Sequence, residues 1–281
     1  QLLLQSPGLV EKITSIALNH IAQSGPNEGT SVLTWLTMDV NGIVLLLQSP
    51  GLVKKITSIA LNHIIPSGPN IGISALSLLA GSVEGSQLLL QSPGLVEKIT
   101  PEALNHIVPA GPIIGTSVLF WLAGTHTGKQ LLLQSPGLVE NITSEALNHI
   151  VPSGPMMGTS ALYWFATGSE EGRQLLLQSP GLVAKITSEA LNDIITLGDQ
   201  QRSSIFKVLS ESAEGGLLLS TYPSLIAKAS GGNQDALSSQ HTRLDKKDAA
   251  AASDVGMFSQ KVPSMNGIND EDEQDDLPEG K

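Results

Sequence analysis

The sequence contains no cysteine. That excludes disulfides, thiol catalysis and cysteine-ligated zinc, and it leaves the redox compartment open. Aromatic residues are scarce at 3%, so leucine, isoleucine, valine and alanine must supply most of the burial within a hydrophobic content of 41%. Basic residues are few: 15 Lys and Arg stand against 26 Asp and Glu, a formal net charge of −11. That balance argues against a nucleic-acid partner, which needs clustered Lys and Arg. No apolar run reaches the roughly 18 residues of a membrane-spanning helix, and no signal peptide opens the chain. Gly-x-Ser-x-Gly, the P-loop, His-Glu-x-x-His and Gly-x-Gly-x-x-Gly are all absent. The expectation is a chain that is not an enzyme and carries no cofactor.

What is present is repetition. Leu-Leu-Leu-Gln-Ser-Pro-Gly-Leu-Val-x-x-Ile-Thr begins at Leu2, Leu45, Leu88, Leu131 and Leu175, at intervals of 43, 43, 43 and 44 residues. Ala-Leu-Asn follows every copy, four times with His behind it. A fixed period of about 20–50 residues marks a solenoid or array. Each unit is too small to bury its own apolar face, so neighbours must stack. The chain opens at Gln1 in mid-repeat without an initiator Met, which reads as a piece of a longer chain whose upstream part is missing.

Residues 130–173 show the unit clearly. Ser135-Pro136-Gly137-Leu138 fits a helix start, with Ser as N-cap and Pro at the first helical position. Thr143 starts a second helix with Glu145 in its first turn, as Thr100-Pro101-Glu102 does one unit earlier. Pro152 stops that helix and Ser153-Gly154-Pro155 is a turn. Thr159-Ser160 then caps a helix that Gly168 ends, and Ser169-Glu170-Glu171 opens the helix bearing Leu175, Leu176 and Leu177. Three adjacent leucines span about 200° of a helix, so one sits at the edge of the buried stripe. The prediction is three or four short helices per unit. A β alternative fails because the apolar runs neither alternate nor favour β-branched residues.

The fold class is therefore all-α, a helical repeat solenoid with a disordered acidic C-terminal tail. Five tandem repeats occupy residues 1–199. A degenerate capping repeat follows over 200–229, because terminal units must meet water with a polar face. In the fifth repeat Asp193 replaces the histidine, and in the cap Leu217-Leu218-Leu219 with Pro223-Ser224-Leu225 forms a partial sixth copy. Residues 230–281, ending in the acidic block Asp270 to Asp276, cannot bury enough apolar surface to offset chain entropy.

The stretch Gly158-Thr159-Ser160-Ala161-Leu162-Tyr163-Trp164-Phe165-Ala166, then Gly168 and the leucine triplet, resembles an ankyrin repeat. Gly29-Thr30-Ser31-Val32-Leu33 and Gly115-Thr116-Ser117-Val118-Leu119 match it. Serine stands where that family has threonine, no proline follows, and the family's histidine is Thr34, Ser77, Phe120 or Tyr163. The period also exceeds the family's roughly 33 residues. About ten extra residues fall where ankyrins place a β-turn finger, and they read as helices instead. An armadillo-like solenoid has a similar unit length. Long-period ankyrin-like arrays with acidic tails also resemble effectors that intracellular bacteria inject into host cells. The acidic stretch around Glu271 and Glu273 is similar to their translocation signals. That resemblance implies secretion into a host cell; a cytoplasmic location is the other reading.

Several repeated residues invite a functional role. His20, His63, His106 and His149 invite a metal. Equivalent residues in stacked helices lie about 8–10 Å apart, whereas zinc holds its imidazoles at about 2.0–2.1 Å, so a structural ladder is expected and no metal. Asn19, Asn62, Asn105, Asn148 and Asn192 are expected to tie a helix end to the next loop. The variable pairs between Gly-Pro and the next Gly are Asn27-Glu28, Asn70-Ile71, Ile113-Ile114 and Met156-Met157. Apolar loop residues predict a contact strip, so Ile113, Ile114, Met156 and Met157 are the candidate partner-binding residues. The functional expectation is a non-enzymatic scaffold for protein–protein interaction. The alternative is a scaffold or regulatory part of a larger enzyme, or of a secreted effector, whose catalytic domain lies upstream.

Overall fold

The structure, a computed structural model, describes residues 7–25, 27–111, 113–195 and 203–231. Among them helix dominates and strand is almost absent. The first unit has α1 (Pro7–Lys12), α2 (Ser15–Asn19), α3 (Val32–Met38) and α4 (Val40–Gln48). The second has α5 (Pro50–Lys54), α6 (Ser58–Asn62), α7 (Ala75–Ala80) and α8 (Val83–Gln91). The third has α9 (Pro93–Val96), α10 (Pro101–Asn105), α11 (Val118–Gly124) and α12 (His126–Gln134). The fourth has α13 (Pro136–Glu140), α14 (Ser144–Asn148), α15 (Ala161–Thr167) and α16 (Glu170–Gln178). The fifth has α17 (Pro180–Ala184), α18 (Ser188–Asn192), the strands β1 (Ile194–Ile195) and β2 (Ser203–Ser204), α19 (Ile205–Glu211) and α20 (Ala213–Thr221). The last helix is α21 (Pro223–Gly231). The tail expected beyond it and the boundary expected at 199/200 lie outside the described residues.

The caps explain why such short helices hold. Thr143 Oγ1 accepts the N–H of Ala146 at 3.1 Å, and Thr100 does the same for Ala103 ahead of Pro101. Ser160 Oγ accepts the N–H of Tyr163. Ser135 departs from expectation. It sits before Pro136, but its side chain makes no cap bond; its N–H instead closes α12 on the Leu132 carbonyl, and its carbonyl accepts the Leu138 N–H. The same serine therefore ends one helix and starts the next. Gly168 also differs, for it ends α15 with right-handed angles rather than the left-handed conformation of a glycine stop. A Cβ there would lie 2.5 Å from the Lys129 ammonium, so the glycine leaves room for a buried lysine.

Each unit packs on the next through equivalent helices. α3, α7, α11, α15 and α19 form one row and α4, α8, α12, α16 and α20 a second. Within a unit these two helices cross closely because of a recurring glycine. At Gly128 a Cβ would lie 2.3 Å from the Leu122 carbonyl oxygen, inside any permitted contact. The core runs through all the units without a break, from Val10 to Leu225. In each inner triplet the first two leucines are buried, as Leu131 and Leu132 are, and the third, Leu133, is half-buried at the stripe's edge. The final triplet is out of register by one residue: Leu218 and Leu219 are buried and Leu217 is exposed.

Helices do not replace the finger in the extra residues. Both are there. Between α10 and α11 the chain doubles back, Val108 N–H donating to Thr116 and Gly115 N–H to Val108, each at 2.8 Å. The same paired bonds join Ile65 with Ile73 and Gly72, and Val151 with Thr159 and Gly158. In the fifth unit the antiparallel β1–β2 pair occupies this place. The helix before each finger ends at its asparagine, and glycines at positive φ, Gly111 at 93° and Gly115 at 80°, turn the chain.

Candidate partner-binding surface

The fingers stack on one another. A Cβ on Gly115 would meet Pro152 Cδ at 2.4 Å and His149 Nε2 at 3.3 Å, both from the following unit. Gly72 approaches Val108 and Pro109 in the same way, and Gly29 approaches Ile65 and Pro66. The tips carry the variable pairs. The Ile113 carbonyl accepts from the Thr116 N–H at 3.1 Å and hydroxyl at 2.7 Å, and the Met156 carbonyl is held likewise by Thr159. Backbone bonds thus fix the tips and leave their side chains to vary.

Of the four residues expected to form a contact strip, Met157 is exposed at 42%, and Ile113, Ile114 and Met156 are half-buried. At the first finger both Asn27 and Glu28 are exposed. The strip therefore runs from a polar tip at one end to a methionine tip at the other.

A second row beside the fingers escaped the reading by motif. All three tryptophans of the chain, Trp35, Trp121 and Trp164, occupy the same position of the first, third and fourth units, with Leu78 and Val208 in the other two. Trp35 is half exposed and the others are half-buried. Phe120 meets Trp121 and Trp164 edge-on at 5.5 and 6.3 Å, and Tyr163 meets Trp164 at 5.1 Å. Trp164 Nε1 is buried without a hydrogen-bond partner. The period alone carried the signal, because tryptophan recurs in register at 35, 121 and 164.

The histidines follow α2, α6, α10 and α14 directly. The Nε2 atoms of His63, His106 and His149 are buried with no partner. Burial holds the pKa of each below the usual imidazole value, with the charge of Glu145 partly opposing it at His149. Among the described residues no group of three or more His, Asp or Glu lies close enough to hold a metal ion. A void of about 10 Å³ beside His106, lined also by Ser74, Ser77, Thr116 and Trp121, has room for roughly one water molecule. It opens where Ser77 stands in the position that Phe120 and Tyr163 fill in the next units.

The asparagines do more than close a turn. Asn105 Nδ2 donates to the Pro101 carbonyl at 2.7 Å and to the Asn141 carbonyl of the next unit at 2.8 Å, while its Oδ1 accepts the Thr143 N–H at 2.8 Å. Asn19, Asn62 and Asn148 make the same bridges, and Asn192 reaches the Ala229 carbonyl. Lysines add a parallel set, with the ammonium groups of Lys55, Lys98, Lys185 and Lys228 donating to the carbonyls of Ile13, Ile56, Ile142 and Ile186 one unit back. Asn141 takes the lysine's place once. These ladders occupy the recurring polar residues in holding the units together. Among the described residues no helix is long and apolar enough to cross a membrane. Comparison with protein-family models, curated proteins and solved structures finds nothing that matches the chain.

Proposed function

We propose that this chain is a non-enzymatic repeat scaffold, an ankyrin-like helical solenoid that binds a protein partner along its stacked fingers. The observation that carries the reading is the division of labour within each unit. The asparagines and lysines that repeat are engaged in unit-to-unit hydrogen bonds, whereas the finger tips are held by backbone bonds and change from Asn27-Glu28 to Met156-Met157. Residues that vary on a constant frame are where a recognition surface is written. The adjoining tryptophan row supplies aromatic area of the kind enriched in interfaces. The ankyrin resemblance gains support from the order of helix pair, leucine-rich second helix and finger; the two short helices between them account for the longer unit.

The test is capture by the immobilised chain. Changing Ile113, Ile114, Met156 and Met157 together to Ser is expected to abolish capture of its partners, whereas changing Asn27 and Glu28 to Ala leaves capture in place. Helical circular dichroism checks that both variants fold. Equal capture by the folded quadruple variant removes the finger surface from consideration.

A further inference from the structure

The void beside His106 lies at the joint between the second unit and the third. Ser74 and Ser77 line it from the second unit, and His106, Thr116, Ser117 and Trp121 from the third. One position of the repeat creates it. The residue three past the cap serine of α3, α7, α11 and α15 is Thr34, Ser77, Phe120 and Tyr163 in turn, and Ser77 is the smallest of them. Phe120, only 3% exposed, fills the equivalent place with a ring. Ser77 leaves about 10 Å³, room for roughly one water molecule.

Volume alone does not make such a space wet, because a buried water also needs several polar partners. The lining supplies them. His106 Nε2 is buried and has no hydrogen-bond partner. Burial lowers the pKa of that imidazole, which favours the neutral ring and leaves one nitrogen able to accept. Thr116 Oγ1 donates to the Ile113 carbonyl at 2.7 Å and keeps its lone pairs open. Ser74 Oγ accepts the Ser77 N–H at 3.0 Å and Ser117 Oγ accepts the Phe120 N–H at 3.1 Å, yet neither hydroxyl donates a bond of its own. Ser74, Thr116 and Ser117 are all buried. Two acceptors and two donors therefore stand open around one void. The Ser77 hydroxyl is not among them, since it accepts from the Ser74 N–H and donates to the Ser74 carbonyl.

We propose that this void is a binding site for one ordered water, which donates to His106 Nε2 and Thr116 Oγ1 and accepts from the hydroxyls of Ser74 and Ser117. The proton of the neutral His106 ring then sits on Nδ1. An apolar occupant would leave these polar groups unpaired. A cation would find no carboxylate among the residues that line the void. The water closes this joint with hydrogen bonds where the next joint is closed by an aromatic ring. It does so whatever the fingers bind, so the inference is independent of the partner-binding reading.

Nuclear magnetic resonance of the full chain, with nitrogen-15 in its histidines, tests it at about pH 8, above the ordinary imidazole value. His106→Gln identifies the His106 signals. The Nε2 resonance is expected at the position of a nitrogen that accepts a hydrogen bond, and a long-lived water is expected to show cross-peaks to the His106 ring protons and the Thr116 methyl. Ser77→Phe places in the second unit the ring that the third unit carries. It is expected to abolish those cross-peaks and to move Nε2 to the position of an unbonded nitrogen. Ser77→Leu is a smaller second variant, read if the first loses its helical signal. A parent chain without water cross-peaks at His106, or with an unbonded Nε2, overturns the proposal. So do cross-peaks that persist in a folded variant whose void is filled.

Discussion

At the scale of single residues the array is held by polar groups that reach one unit along the chain. Asn105 makes two such bonds, to Asn141 and Thr143, and a third to Pro101 within its own helix, and Leu in its place leaves their backbone groups without that partner. Asn105→Leu is expected to lower stability by about 1–3 kcal/mol. The lysine ladder offers the reverse experiment. Its missing rung at Asn141 leaves the Ile99 carbonyl without the donor that its equivalents have, so Asn141→Lys is expected to raise stability by about 1 kcal/mol. Urea denaturation of both variants beside the parent measures the two effects, and equal midpoints would show that the ladders are ornamental.

The histidines add a pH dependence whose direction follows from their burial. His63, His106 and His149 resist protonation in the folded chain, while the unfolded chain takes up protons near the ordinary imidazole value. Protons then favour the unfolded state. Stability is full above about pH 6.5 and falls as the pH drops below it toward the lowered folded values. Replacing all three histidines by Gln is expected to flatten the thermal midpoint between about pH 7 and pH 5. A midpoint that falls just as steeply in the triple variant would assign the dependence to other groups.

At the scale of elements the sequence was most legible where the cause is local. Thr100, Thr143 and Ser160 announce their helices because a cap bond needs only a hydroxyl and an N–H three residues on. The leucine triplet was readable from helical geometry to the point that one of the three sits at the stripe's edge; the structure shows that it is Leu133. What escaped was set by approaches in space. The fingers depend on backbone bonds eight residues apart, such as Val108 to Thr116, and no side chain signals them. Gly128 looks like a blemish in a helix until the Leu122 carbonyl is seen beside it. Of the candidate strip, the apolar character was plain, but burial of Ile113 and Ile114 depends on how neighbouring fingers stack. Gly128→Ala is expected to push α11 and α12 apart, with a loss of about 1–3 kcal/mol. Hydrogen exchange should quicken in the third unit and its neighbours and remain unchanged around α19 and α20. A uniform rise along the chain would mean that the units do not act separately.

At the scale of the whole molecule, the bridges set by Asn19, Asn62, Asn105 and Asn148 join each unit only to the one after it. Such an assembly is a chain of links in series. Stretched between its ends by an optical trap, it should not give way at once, because each link carries the full load and the weakest yields first. Every yielding unit frees 43 or 44 residues, which extend at about 3.3–3.6 Å each. The record of force against extension should therefore be a staircase, with treads of roughly 140–160 Å before the width of the lost unit is subtracted. Asn105→Leu should lower one riser of that staircase and leave the treads alone. A single rupture releasing the whole array would mean the links are not in series. The staircase record would make the protein a recoverable extensible tether, able to lengthen by whole units under load and shorten again when the load is removed.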